Sequence, residues 1–259
     1  MSALSAVIIL EDGMLLAGGL LDQWLTTLGA RTRAVVRHIP PQRDDPLPRN
    51  IKSHLTLGET ARLGRLVVSR RLQRLAPSGF VPTAHRRLGS LARRAKVPYV
   101  TLRDIHSESA LRTLRAFDAD LFVTSLDTIL KPEVLAIPHV ACLNKHASLL
   151  PARAGRTPVF HAMAHGDSHT GLTVHEMTPE IDAGRILAQE AIPIRPTDTM
   201  WWLSRRAYGC AGRVLTHALA VLEDGAEPMR VDPPGNRSYH SVPTDEAWRA
   251  FRAQGFRFA

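Results

Sequence analysis

Two hydrophobic rhythms alternate along the chain. Residues 6–10 form an unbroken apolar run that meets Glu11 and Asp12 at once, which predicts a buried strand and not a leader peptide. Residues 15–28 repeat apolar positions at helical spacing, and Gly29 supplies a stop. Residues 33–39 alternate loosely as a second strand, and 40–49, with four prolines, read as a polar loop. Residues 99–102 predict a short strand, and Ser107 is placed to cap a helix bearing Leu111, Leu114 and Phe117. Residues 121–123 and 140–144 read as two more strands, separated by a loop at 125–132. Thr157 and Pro158 open a helix that ends near Gly166, followed by paired strands at 171–176 and 185–194. Thr197 or Asp198 is expected to cap one long helix reaching 224–225. Residues 228–239 are rich in turn signals, and Thr244, backed by Asp245 and Glu246, starts a last short helix ending near Gly255.

This β-α-β rhythm predicts an α/β fold with a Rossmann-like, mostly parallel sheet and helices on both faces. Residues 1–225 are read as the catalytic domain, and 226–259 as a short C-terminal helical extension packed on it. No G-x-G-x-x-G fingerprint follows any predicted strand, so a bound dinucleotide is not supported.

With 259 residues and 44% hydrophobic content the chain can bury a substantial core. It has no apolar run of about 18 residues, so no membrane span is expected. Two cysteines, Cys142 and Cys210, make no disulfide framework and fit a reducing, cytoplasmic location. The net charge is +9, and only four of the 33 basic residues are lysine. Residues 61–96 hold nine arginines, one lysine and no acid. Leu63, Leu66, Val67 and Leu75 can share one helix face there, and Leu88, Leu91 and Ala92 a second, shorter helix. A solvated surface explains such a run, as does docking of an acidic partner; with Phe80 its only aromatic residue short of Tyr99, base stacking has little support.

The chemistry centres on Asn144-Lys145-His146. In extended chain Asn144 and His146 share one face, at the end of a predicted strand, where open parallel sheets bind ligands. An amide donor beside an imidazole suits a developing oxyanion and a proton transfer. The surrounding sequence reads Asn144-Lys145-His146-Ala147-Ser148-Leu149-Leu150-Pro151, then Gly155 and Pro158, then Thr173-Val174-His175 and Asp182-Ala183-Gly184. This spacing resembles the folate-dependent formyltransferases: glycinamide ribonucleotide transformylase, methionyl-tRNA formyltransferase and the sugar N-formyltransferases. The resemblance is clear from about residue 118 to 200.

The resemblance implies a formyltransferase fold, with 10-formyltetrahydrofolate as formyl donor and no metal. It maps Asn144, His146 and Asp182 onto the family's catalytic residues. It also puts Leu126, Thr128, Ile129 and Leu130 in the loop that grips the donor's pterin through backbone groups. Met177, Thr178 and Glu180 are then the second wall. The loop here lacks the tyrosine and glycine that other members often carry. Asp182, if close, is expected to raise the His146 pKa and favour an imidazolium that holds the oxyanion with Asn144. Ser148 lies outside any G-x-S-x-G elbow and is read as a backbone-bonding residue of the Leu-Leu-Pro turn. His161, His165 and His169 are spaced at four, but Gly166 breaks their helix, so a metal face is not expected. His175 is read as a packing or hydrogen-bonding residue, and Cys142 as a small buried hydrophobe.

The acceptor is a separate question. Methionyl-tRNA formyltransferases carry a further domain of roughly a hundred residues; here 77 residues follow Asp182, so tRNA is the less expected acceptor. Formyl-folate hydrolases carry a regulatory domain ahead of this core. The run Ser238-Tyr239-His240-Ser241-Val242-Pro243-Thr244 resembles the tail of compact members. These readings favour a small-molecule amine, a sugar nucleotide or a carrier-bound amine, in specialised biosynthesis. The alternatives are a 10-formyltetrahydrofolate hydrolase and a non-catalytic RNA- or carrier-binding protein on the same fold.

Overall fold

The structure, a computed structural model, describes residues 3–12, 14, 16–41, 53–73 (side chains to 65), 88–231 and 235–259. The elements in chain order are β1 (Ala6–Glu11), α1 (Ala17–Leu28), β2 (Thr32–His38), α2 (Leu57–Gln73), α3 (Leu88–Arg94), β3 (Tyr99–Leu102), α4 (Glu108–Arg115) and β4 (Leu121–Ser125). Then come α5 (Pro132–Leu135), β5 (Ala141–His146), β6 (Ala154–Gly155), α6 (Pro158–Ala164), β7 (His169–Glu176) and β8 (Ile186–Pro193). The chain closes with α7 (Met200–Gly209), α8 (Ala211–Asp224), β9 (Tyr239–His240) and α9 (Asp245–Ala253).

Seven strands form one sheet in the order β3-β2-β1-β4-β5-β7-β8. The first five of these are parallel, and β7 and β8 run antiparallel to their neighbours. The expected mostly parallel α/β sheet is therefore present. Its central strands are apolar on both faces because helices cover both. Ala6, Ile8 and Leu10 of β1 enter one core layer with Trp24 of α1, while Val7 and Ile9 enter the other with Leu111 and Leu114 of α4. The chain order reverses between β1 and β4, and the carboxyl ends of strands at such a switch point are where ligands bind in this architecture.

Two helix expectations need correction. The single long helix predicted to end at 224–225 is two helices, broken at Cys210. Gln23 of α1 enters the break: its Nε2 donates to the Tyr208 carbonyl at 3.0 Å and its Oε1 accepts from Gly212 N–H at 3.1 Å. One distant side chain thus satisfies backbone groups on both sides of the interruption. The cap of α7 is Thr199, whose hydroxyl accepts from Trp202 N–H; Asp198 instead pairs with Arg206. Thr157 precedes α6 but does not cap it: its φ is +49° and its hydroxyl is buried without a partner among the described residues. By contrast, Ser107 and Thr244 cap α4 and α9 as expected. Phe117 falls beyond α4 and packs against the second core layer. In the arginine-rich segment Leu63, Leu91 and Ala92 are buried; Leu75 and the side chains of Leu66 and Val67 lie outside the described residues. No helix among the described residues is long and apolar enough to cross a membrane.

The C-terminal segment closes over α6. Phe160 stacks on Phe251 with ring centroids 4.6 Å apart and meets Trp248 edge-on at 4.7 Å. Both α9 residues belong to the same apolar cluster as Trp24 and Leu172. Phe160→Ala removes the centre of this stack, and we expect a loss of about 3–5 kcal/mol in unfolding free energy by denaturant titration. A loss below about 1 kcal/mol would show that α9 contributes little to the core.

Candidate active site

Strand register builds the first part of the site. Thr124 of β4, Asn144 of β5 and His175 of β7 are successive cross-strand partners, so they form one row across the sheet. The row fixes the Asn144 amide from both sides. Thr124 Oγ1 donates to Asn144 Oδ1 at 3.3 Å, and Asn144 Nδ2 faces His175 Nε2 at 3.5 Å. His175 Nδ1 must carry hydrogen, because it donates to the Glu176 carbonyl at 2.8 Å. The amide carries two hydrogens and at most one of them points at His175, so another is left for a ligand. Asn144 is half-buried, so that hydrogen is reachable.

His146 lies two residues on, on the same face, and is 6% exposed. Its Nε2–H donates to the Arg153 carbonyl at 2.9 Å. Its Nδ1 faces Asp182 Oδ2 at 3.5 Å, and Asp182 Oδ1 lies 3.5 Å from His175 Nε2. Gly155 N–H donates to Asp182 Oδ2 at 2.8 Å. Two glycines make this approach feasible. A Cβ on Gly155, at φ +92°, would collide with the His240 carbonyl and the Tyr239 ring, and one on Gly184 would collide with the Glu176 carbonyl. The structure thus joins Asn144, His146 and Asp182 in one cluster and adds Thr124, His175, Arg153 and Gly155 to it. Lys145 points to the opposite face, with Nζ 3.7 Å from the Tyr208 ring centroid.

Electrostatics corrects one expectation. Burial lowers the His146 pKa below its ordinary value, and this outweighs the opposing pull of Asp182 and the Arg153 carbonyl; His175 and Lys145 lower it further. The resting imidazole is therefore neutral, with its lone pair on Nδ1 beside Asp182. Asp182 itself stays ionised. Burial pushes its carboxyl up, but the hydrogen bond with His175 and the Gly155 N–H prevail and hold it at about 2. Cys142 is inert: burial pushes its thiol up to about 12.

The residues expected to hold a donor divide by role. Leu126, Leu130 and Met177 pack against the same apolar layer, and Met177 Sδ lies 3.4 Å from Thr124 Oγ1, next to Asn144. Leu130 is 3% exposed, so its side chain belongs to the core, whereas Ile129 is 62% exposed. Thr128 is tied inward. Glu11 accepts from Asp127 N–H, Thr128 N–H and the Thr128 hydroxyl at 3.1, 2.9 and 2.8 Å, and His38 Nε2 reaches that hydroxyl at 3.1 Å. Two loop N–H groups are thereby committed to Glu11. Thr178 Oγ1 donates to the Glu180 carbonyl at 3.0 Å, and Glu180 pairs with Arg237 at 3.0 Å. Arg237 also donates to the Ile181 and Asp182 carbonyls, pinning the Asp182 loop to a C-terminal strap, residues 237–240, that includes β9. Sequence reading missed Glu11, Thr124, Arg153 and Arg237, which act through contacts no local motif announces. Ser148 behaves as expected and donates to the Ala152 carbonyl at 2.9 Å. His169 begins β7, whereas His161 lies in α6 and His165 follows its last residue.

Comparison with known proteins identifies the family and the fold. The family model described as formyl transferase matches residues 76–219. The methionyl-tRNA formyltransferase of Methylobacterium nodulans is 34% identical over 172 residues, 66% of this chain and 56% of the relative. That of Thermotoga maritima is 33% identical over 137 residues, 52% of this chain and 44% of the relative. The chain spans about half the length of the curated relatives it matches. Among solved structures, glycinamide ribonucleotide transformylase 1 from Symbiobacterium toebii superposes with a TM-score of 0.60 at 22% identity, over 90% of this chain and 95% of that one. A sugar N-formyltransferase from a Shewanella species superposes with a TM-score of 0.55 at 18% identity, over 92% and 77%. With the matched segment running from ahead of α3 into α8, and enclosing Asn144, His146 and Asp182, the chain belongs to the formyl transferase family.

Proposed function

We propose that the protein is an N-formyltransferase that moves the formyl group of 10-formyltetrahydrofolate to a neutral amine. The observation that carries this reading is the cluster of Asn144, a neutral buried His146 and an ionised Asp182 at the carboxyl end of the sheet. The donor fits the residues around it. Leu126, Ile129 and Met177 offer apolar contact to a flat ring system, and Thr128 is held in place by Glu11. When bound, the donor supplies an activated formyl carbon on a nitrogen that can leave.

The residues divide the work as follows. The free Asn144 Nδ2–H holds the formyl oxygen as it gains negative charge during attack by the amine, an interaction worth about 3–4 kcal/mol of barrier in comparable sites. His146 Nδ1 takes the proton that the attacking amine sheds. The imidazolium then formed gains Asp182 as its partner, which compensates for burial of the new charge. The same proton returns to the leaving nitrogen as the old C–N bond breaks. This assignment differs from a protonated resting His146, and the low pKa of the buried imidazole is the reason.

For the acceptor we favour a small-molecule amine, including a sugar-nucleotide or carrier-bound amine. A charged tRNA is the second reading, favoured by the relatives named methionyl-tRNA formyltransferases and by the net charge of +9.

His146→Ala or Asp182→Ala should lower turnover by about a hundredfold or more in a formyl-transfer assay across an amine panel that includes methionyl-tRNA. Near-normal turnover in either variant sinks the assignment. The pH profile tests the protonation state. Neutral His146 is the working form and its pKa lies below 6.5, so kcat/KM, expressed per neutral amine, should fall as the pH drops through that lower value and not as the pH rises. A rate that instead falls as the pH rises through the same value would restore the imidazolium as the working form.

A further inference from the structure

His146 has two neutral tautomers, and only the one with hydrogen on Nε2 leaves Nδ1 able to take a proton beside Asp182. The 2.9 Å hydrogen bond to the Arg153 carbonyl selects it, against the pull of the Asp182 carboxylate 3.5 Å from Nδ1. That carbonyl belongs to a residue in the left-handed region, with φ +58°. A non-glycine residue is disfavoured there by about 1–2 kcal/mol and persists only where its surroundings hold it.

The surroundings of Arg153 are specific. Its Nε and Nη2 fork onto Asp167 at 3.0 and 2.7 Å. Both side chains are mostly buried, 13% and 6% exposed, so this pair is not a solvent-screened surface bridge. The Arg153 N–H donates to Ser238 Oγ at 3.0 Å, and Nη1 reaches the same oxygen at 3.4 Å. On either side the backbone is stitched to the strap, with Ala154 N–H on the Ser238 carbonyl and Arg156 N–H on the His240 carbonyl, both at 2.8 Å. The other groups whose charge is felt with Arg153 are His161 and His240, stacked at 4.4 Å. Burial lowers the pKa of both, His161 to about 4, so near pH 7 neither brings a competing positive charge toward Asp167.

We infer that Arg153 is a positioning residue: its buried fork with Asp167 holds a strained backbone whose carbonyl keeps His146 in the Nε2–H tautomer. The inference deepens the formyl-transfer reading and rests on it for the rate measurements alone. Without the fork, residue 153 is free to relax toward ordinary φ, its carbonyl turns away, and the His146 proton redistributes between the two nitrogens.

Imidazole ¹⁵N NMR on the full chain, with His146→Gln for assignment, reads the tautomer with no substrate present. Two variants test the fork. Asp167→Asn removes the charge at constant shape. Arg153→Met with Asp167→Leu replaces the whole buried pair with apolar groups, a change that folded proteins tolerate far better than loss of one partner. The wild type should show one His146 tautomer, with hydrogen on Nε2, and both variants a mixture. In transfer assays kcat should fall about tenfold or more, with the KM of the amine within about twofold. The acid limb should move to lower pH, because the carbonyl that favours the imidazolium is gone. A wild type with hydrogen on Nδ1 overturns the inference. So does an unchanged Nε2–H tautomer, or an unmoved acid limb, in the folded double variant. If the wild type transfers no formyl group at all, that result strikes the proposed function, and the tautomer spectra still decide the role of Arg153.

Discussion

A buried carboxylate has to find hydrogen-bond donors, and much of this site is arranged to satisfy Asp182. Removing such a charge from water is opposed by several kcal/mol unless donors replace the lost solvent. Gly155 supplies a backbone N–H to Oδ2, and His175 Nε2 lies 3.5 Å from Oδ1. For that N–H to arrive, residue 155 must lack a Cβ, because the strap at 239–240 lies directly against it. The loop from Leu149 to Thr157 therefore cannot be understood from its own contacts. It is shaped between a charge on one side and a strap from the far end of the chain on the other.

The same burial that makes Asp182 demanding makes His146 a base. A solvent-exposed histidine beside a carboxylate is stabilised as a cation, but here desolvation wins and the ring rests neutral. The ion pair with Asp182 is then formed during the reaction, when it can stabilise charge that appears only there. Asn144 contributes by orientation. Its amide is pinned by Thr124 and His175 in one cross-strand row, so little reorganisation is needed when the formyl oxygen gains charge.

Much of this was legible in the chain. The strands were visible because their apolar runs are short and bounded by turn residues, and the caps at Ser107 and Thr244 because a hydroxyl one residue before a helix acts locally. Asn144, His146 and Asp182 were legible through their spacing in the Asn-x-His and Asp-x-Gly segments. The failures have a common cause. The break at Cys210 is completed by Gln23, some 185 residues earlier. Thr157 has the residue type of a cap but a left-handed backbone, next to Arg156, whose N–H is bonded to the distant His240 carbonyl. The direction of the His146 shift depended on depth of burial, which periodicity does not measure.

The sequence by itself determined the alternation of elements, the face shared by Asn144 and His146, and the residue types able to hold an oxyanion and move a proton. Those follow from backbone periodicity and side-chain chemistry, both local properties. The tertiary structure decided which donors meet the Asp182 carboxylate, that Glu11 occupies two N–H groups of the 126–130 loop, and that the carbonyl of Arg153 orients His146. These depend on desolvation and on contacts between segments up to 117 residues apart, and both arise only when the sheet assembles and water leaves.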